Sequence, residues 1–301
     1  MPTKKTIGIA LASYQPQAEV LAAQLASLTA QTHTDWVCRI TLDSPLAGLR
    51  QEGALEPYFA DSRFEWSENP VRLGHAKNFE KAMRLCLEQN VAAIAFCDQD
   101  DIWHPEKLAR SFEVLEKSPP QAMVHCDLIP FWGEPPTHYE GATVWSLERR
   151  QVESPTPSEL AVRCVVNGTA ALFSADLARS CPPFSPEVAH HDQWLAILAA
   201  SRGGVFPIHQ PLVLYRQHEK NVSGLNPDRG WFKLPLGQAL KRIRTRWQEY
   251  QTLKTALETA FPAIPLLEPR ELFLVSIQSF KSDPVLSRAS LAKWLGSWLP
   301  T

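Results

Sequence analysis

The run VAAIAFC, residues 91–97, constrains this chain more than any other stretch. It is apolar throughout, as expected for a β-strand covered on both faces of a sheet. It then stops at DQDDIWHPEKL, which places Asp98, Asp100 and Asp101 within four positions. Aspartate is a poor strand former and costly to bury, so a strand end does not carry such a row by default.

The segments around it predict an alternating architecture. TIGIALASY reads as a buried strand closed by Pro16, and residues 17–32 put Leu21, Leu25 and Leu28 on one helical face. VCRITL is a second strand ending at Asp43, segment 44–63 reads as irregular, and RFEW as a short strand. Between Leu73 and Gln89, Phe79, Ala82, Met83 and Cys86 recur at helical spacing. Pro105 suits the first turn of a helix whose apolar face is Leu108, Phe112 and Leu115. This order predicts an α/β sandwich on a mostly parallel sheet flanked by helices. Ligands of such sheets sit beyond the carboxyl ends of the strands, where Ser13 and Tyr14, Asp43 and DQDD all fall. No GxGxxG follows any strand, which argues against a dinucleotide fingerprint.

In the second half, AMVHCDLI reads as a strand and 130–157 as a proline-rich excursion. NGTAALFS is strand-like, with Ser174 placed to cap a short helix. Residues 188–201 form a helix carrying HHDQW, stopped by Gly203 and Gly204. GVFPIH and PLVLYRQH are two further strands. From about Asn226 the chain turns helical, amphipathic and basic, so we expect a catalytic α/β domain over 1–225 and a helical extension over 226–301.

Composition excludes several classes. A formal charge of −2 gives no general drive toward nucleic acid. The longest apolar run falls far short of the roughly 20 residues a bilayer span needs. Lys4 and Lys5 before IGIALA faintly suggest a signal peptide, but Gly8 breaks the segment and no cleavage site follows. The six cysteines show neither CxxC nor zinc-finger spacing and have mostly apolar neighbours, so reduced thiols and a cytoplasmic location are expected.

Two explanations compete for the acidic row. One aspartate could cap the following helix, but a cap needs only one. Three carboxylates repel one another unless a cation is present, which favours a hard divalent metal. Magnesium held by one or two carboxylates fills its other positions with water and substrate phosphates, which points to a nucleoside diphosphate.

Taken together, IGIALASYQP, the LD at 42–43, LGHAKNFEKAM, DQDDIWHPEKL, NGTAALF, HHDQWLA and YRQHEKNVSG occur in the order found in inverting glycosyltransferases of family 2. The resemblance covers about residues 6–224. DQDDIW with YRQHxxNVSG is most similar to the branch holding bacterial rhamnosyltransferases and other surface-polysaccharide enzymes. It implies a GT-A fold, a nucleotide-diphosphate sugar donor, a glycan or lipid-linked glycan acceptor, and a divalent metal, Mg²⁺ or Mn²⁺. It also implies roles. Ser13, Tyr14 and Asp43 would hold the nucleotide. Asp98 would meet the ribose or a metal-bound water, and Asp100 would ligate the metal. Asp192 matches the catalytic base, and His218 the late histidine of the metal or diphosphate site. Lys77 stands where the family usually has arginine, keeping charge but losing the bidentate fork. Asn78 follows it, either in the donor site or facing solvent.

Other residues keep two explanations at this stage. Asp101 joins the expected sugar or acceptor cleft, and Trp103 either walls that pocket or fills the core. Asn167, Gly168 and Thr169 either turn into a buried strand or line the cleft, with Gly168 permitting close backbone approach. His190 and His191 could suggest zinc, but adjacent helical residues face different ways. In the tail, residues 229–246 carry six Lys/Arg and no acid, and VLSRASLAKWLGSWL sets Trp294 and Trp298 four apart. These helices either pack on the catalytic domain or dock, through residues 229–299, on the inner face of the plasma membrane.

The expected activity is metal-dependent, inverting transfer of rhamnose or another hexose to a growing surface glycan. The rivals are a sugar-1-phosphate nucleotidyltransferase, a non-catalytic glycan-binding protein and an inactive scaffold. The first should show a Gly-rich basic loop after its first strand, and ASYQPQAE has none.

Overall fold

The computed structural model describes residues 5–148, 150–218, 248 and 250–264. Its strands are β1 (Ile7–Ser13), β2 (Trp36–Leu42), β3 (Phe64–Glu68), β4 (Ala93–Cys97), β5 (Ile102–Trp103), β6 (Met123–Phe131), β7 (Ala171–Ser174) and β8 (Val205–Arg216). The helices are α1 (Ala18–Thr29), α2 (Leu46–Leu49), α3 (Glu56–Ala60), α4 (His75–Glu88), α5 (Lys107–Glu116), α6 (Val144–Glu148), α7 (Pro157–Val162), α8 (Ala175–Ser180) and α9 (His191–Arg202). Segment 44–63, expected to be irregular, holds the short α2 and α3 with a 3-10 turn at Gly53–Leu55.

The strands form one sheet in the order β3-β2-β1-β4-β7-β6-β8-β5. β3, β2, β1 and β4 pair in parallel, whereas β7 runs antiparallel to β4 and β6, and β5 antiparallel to β8. The sheet is therefore mixed, with its longer pairings parallel as expected and the antiparallel ones confined to β7 and β5. GVFPIH and PLVLYRQH are not two strands but the single β8, parallel to β6 with register shifts at Cys126, Asp127 and Leu128. Pro207 and Pro211 supply no ladder N–H, and the pairing absorbs this as a bulge.

Strand alternation assigns the two faces. Ile7, Ile9 and Leu11 of β1 and Ala93, Ala95 and Cys97 of β4 enter one core with Leu21, Leu25 and Leu28 of α1. Ala10, Ile94 and Phe96 enter the other with Phe79, Ala82, Met83 and Cys86 of α4. Each fully buried large apolar side chain here contributes roughly 1.5–3 kcal/mol. Helices α1 and α4 thus cover opposite faces, and the strand order reverses between β1 and β4. A crevice opens at that reversal, outside the carboxyl ends of both strands.

Local caps follow the residues. The Ser174 hydroxyl accepts the Leu177 N–H at 3.2 Å, and Thr156 with Glu159 forms a capping box on α7. Helix α5 begins two residues after Pro105 with no side-chain cap, so none of the three aspartates serves that purpose. Residues 250–260 are helical, and Tyr250, Leu253, Leu257 and Phe261 enter the core of α4 and α9, where Phe261 meets Trp194 at 5.2 Å. That part of the C-terminal segment packs on the α/β domain. The basic stretch 229–246 and the Trp294/Trp298 stretch lie outside the described residues. No helix among the described residues is long and apolar enough to cross a membrane.

Candidate active site

Three chain segments meet in the crevice. Beyond β4, the Gln99 side chain accepts from the Ser13 hydroxyl at 2.7 Å and the Tyr14 N–H at 2.9 Å, tying the ends of β1 and β4 together. Tyr14 is exposed, with the Arg72 guanidinium 4.0 Å from its ring centroid.

Asp43, at the end of β2, is buried and fully engaged. Its Oδ1 accepts from Asn69 Nδ2 at 2.6 Å and the Leu73 N–H at 3.0 Å, and its Oδ2 accepts the Gly74 N–H at 2.8 Å. Gly74 has φ +82°, a conformation open to glycine at little cost. Asn78 does not face solvent. Its amide donates to the Ser13 and Thr41 carbonyls at 3.2 and 3.1 Å and accepts from Asn69 at 2.8 Å. Asp43, Asn69 and Asn78 hold the loop before α4 against the ends of β1 and β2. Lys77 points away from this cluster, with its ammonium 2.8 Å from Glu80 and donating to the Phe184 carbonyl.

The β5–β8 pairing delivers the last partner. Ile102 lies opposite Leu214, so the chain just before β5 runs beside the chain just after β8. His218 Nε2 thereby reaches Asp100 Oδ2 at 2.8 Å. The Arg216 N–H donates to Asp101 Oδ1 at 2.9 Å, and its Nε donates to the Asp100 carbonyl at 2.9 Å. Burial, then the Asp100 and Asp192 carboxylates, push Asp98 up to about 8. Asp101 is fully buried, and burial with repulsion from Asp100 and Asp98 raises it well above the carboxylate range.

Asp192 sits in the first turn of α9, whose positive end suits a carboxylate. Its Oδ2 accepts the Gly168 N–H at 3.0 Å and its Oδ1 the Gln193 N–H at 2.8 Å. A Cβ on residue 168 would come 2.6 Å from His191 Nε2, so only glycine brings this N–H to Asp192. The close neighbour that Gly168 admits is thus His191, packed from within the protein.

Several expected cleft residues lie beneath the site. Trp103 takes the core alternative, at 1% exposure, with its indole N–H donating to the Thr169 hydroxyl at 3.1 Å. Thr169 is buried as its partner, and Asn167 is buried, accepting from Arg150 at 3.3 Å. Lys107 stacks its ammonium 3.6 Å from the Trp103 ring centroid, and burial lowers its pKa to about 8. His191 lies flat on Phe79 at 3.8 Å, deep in the core, where burial lowers its pKa well below the ordinary histidine value. Residue-type patterns missed Gln99, Asn69 and Arg216. Gln99 stood in plain view between the two aspartates it separates, and Arg216 inside YRQH.

Among the described residues no three His, Cys, Asp or Glu side chains form a ready metal cage. The Asp100–His218 pair, beside an Asp98 carboxyl whose ionised form burial and its carboxylate neighbours disfavour unless a cation is present, fits a hard cation whose other ligands are water and phosphate oxygens.

Comparison with known proteins bears on the family and the fold. The model of glycosyl transferase family 2 matches residues 9–173, more than half of the chain. An uncharacterized glycosyltransferase of Methanocaldococcus jannaschii is 26% identical over 115 residues, covering 38% of this chain and 39% of that relative's length. The structure of S. aureus TarS 1-349 with UDP-GlcNAc aligns with TM-score 0.53 at 13% identity, over 89% of this chain and 69% of that one. The mannosyltransferase PcManGT of Pyrobaculum calidifontis, bound to GDP-Man and Mn²⁺, aligns with TM-score 0.53 at 16% identity, over 93% and 81%. At such identities these structural likenesses show the fold, which is that of GT-A transferases.

Proposed function

This chain belongs to glycosyl transferase family 2, and from that premise we propose that it transfers a hexose from a nucleoside-diphosphate sugar to an acceptor hydroxyl with inversion. The observation that carries this reading is the meeting of His218 with Asp100 at 2.8 Å, beside Asp98 and across the crevice from Asp192. Mg²⁺ or Mn²⁺ held by Asp100 and His218 would supply positive charge against the departing diphosphate. Asp98 faces the ribose or a water of that site. Ser13, Tyr14 and the loop pinned by Asp43 and Asn78 shape the nucleotide end.

Asp192 is the general base. The Gly168 and Gln193 N–H groups fix its two oxygens and leave lone pairs free for an acceptor hydroxyl. As the acceptor oxygen attacks the anomeric carbon, Asp192 takes its proton. The bond from that carbon to the diphosphate oxygen breaks on the opposite face, so the anomeric configuration inverts. The resemblance in DQDDIW and YRQH extends the proposal to rhamnose or a related hexose as donor sugar. It makes the acceptor a growing surface glycan, free or lipid-linked, with the basic stretch 229–246 and the Trp294/Trp298 stretch docking at the cytoplasmic membrane face. Liposome co-sedimentation with anionic lipid tests the docking, and failure of the protein to bind would end it.

The deciding experiment is a thermal-shift screen of UDP-, GDP- and dTDP-sugars with Mg²⁺, Mn²⁺ or EDTA, followed by assay of nucleoside diphosphate release. A metal-dependent shift with one donor, and turnover lost in Asp192→Asn, is expected. Absence of any shift with every donor and both metals would overturn the reading.

A further inference from the structure

Residues 181–190, between α8 and α9, have no regular structure, yet one face of α4 fixes their path. Lys77, Glu80 and Arg84 project from that face at helical spacing. Glu80 Oε1 accepts the Phe184 N–H at 3.0 Å, while the Lys77 ammonium donates to the Phe184 carbonyl. Lys77 and Glu80 are themselves 2.8 Å apart. Arg84 stands 3.7 Å from Glu80 and donates to the Ala178 and Cys181 carbonyls at 3.2 and 2.6 Å. Both backbone polar groups of Phe184 are therefore gripped by one ion pair. Its ring is 1% exposed and lies 6.4 Å from that of Trp194, which is on α9 two residues beyond Asp192.

We propose that Lys77 and Glu80 are positioning residues that clamp Phe184 and so hold the start of α9, and Asp192 with it, against the crevice. The geometry gives Lys77 this task in place of the donor contact implied by its place in LGHAKN. The purpose of the clamp rests on Asp192 being the base. The chain from Phe184 to α9 has Pro186, a single turn with Val188 N–H to Ser185 carbonyl at 3.0 Å, and Val188 packed in the core of α4 and α9. A displacement of about 1 Å at a catalytic group can cost on the order of a hundredfold in rate.

Two variants test it in the full-length protein. Lys77→Met keeps the aliphatic stem and removes the donor, and Glu80→Gln keeps an acceptor for Phe184 while breaking the ion pair. Amide hydrogen exchange of the 181–192 segment, which needs no ligand, should accelerate by about tenfold or more in both, with β1 and β4 unchanged. Unchanged exchange in both variants overturns the clamp. With the donor identified by thermal shift, Lys77→Met should lower kcat by about tenfold or more and leave the donor KM within about twofold. A raised donor KM at unchanged kcat would instead make Lys77 a donor contact and overturn the assignment. Wild-type turnover in Asp192→Asn would remove the base and the clamp's purpose together. Faster exchange alongside that result distinguishes failure of the functional reading from failure of the clamp.

Discussion

His218 Nε2 stands 2.8 Å from Asp100 Oδ2, although 118 positions of chain separate the two residues. The two-residue strand β5 is what joins them, because its antiparallel pairing with β8 turns the end of one against the start of the other. If this pair holds the cation of the proposed transfer site, Asp100→Ala and His218→Ala should each weaken Mn²⁺-dependent UDP or GDP binding. Loss of a residue that only orients a metal ligand costs about 10–100-fold in affinity, and loss of a ligand should cost at least that. Titration calorimetry with Mn²⁺ and with EDTA checks this. His218→Ala binding as tightly as wild type in Mn²⁺ would place the metal elsewhere.

Gly168→Ala should damage stability and rate together. The added Cβ would stand 2.6 Å from the buried His191 Nε2, and that ring is walled by Phe79 and Phe96. Overpacking of this kind costs about 1–3 kcal/mol. The same shift moves the N–H that holds Asp192, so kcat should fall while donor binding, made at the other end of the crevice, is kept. Chemical denaturation and steady-state kinetics on the one variant read both effects.

Much of this architecture was legible because the residues obey two short periods. β1 and β4 are apolar on both faces and β2 on one, and α1, α4 and α5 each carry one apolar stripe, so element order and the place of the crevice follow. What was not legible depended on long-range partners. Trp103 looks the same in sequence whether it walls a pocket or fills a core, and its bond to Thr169, 66 positions away, decides for the core. GVFPIH and PLVLYRQH read as two strands, yet pairing with β6 carries one bulged strand through Pro207 and Pro211. Lys77 matched a motif position, but only the fold brings Phe184 within its reach. The direction of β7 was not legible either, because nothing local in ALFS marks it as antiparallel to β4.

Asp43 separates a structural role from a binding role in a measurable way. Three N–H groups, from Asn69, Leu73 and Gly74, end on its carboxylate. Asp43→Ala leaves the buried Asn69 donor unsatisfied, at a cost of about 1–3 kcal/mol, while water can reach the less buried Leu73 and Gly74 N–H groups. A loss of about 1–3 kcal/mol in urea denaturation is expected, with a smaller loss in Asp43→Asn, whose amide retains one acceptor oxygen. A variant of near-native stability with only a raised donor KM would show that base recognition, and no loop anchoring, is the task of this residue.

His125 should make the fold sensitive to acid. Its ring is fully buried in β6 beside Trp145, neither nitrogen has a hydrogen-bond partner among the described residues, and burial, helped by nearby His209, pushes its pKa down to about 3. The unfolded chain restores the ordinary histidine value of 6.5. Between those values the unfolded state binds a proton that the folded state refuses. The stability linked to His125 is therefore complete above pH 6.5 and lost as pH falls toward 3, with a slope of up to about 1.4 kcal/mol per pH unit. His191, also buried and lowered, adds to the same trend. His125→Leu should flatten the pH dependence of urea denaturation between pH 6 and 4 by that one-proton slope, while wild type and variant converge in slope above pH 7. Parallel curves across the acid range would mean that the imidazole reaches a proton in the folded state, and the packing around Trp145 would have to open to admit it.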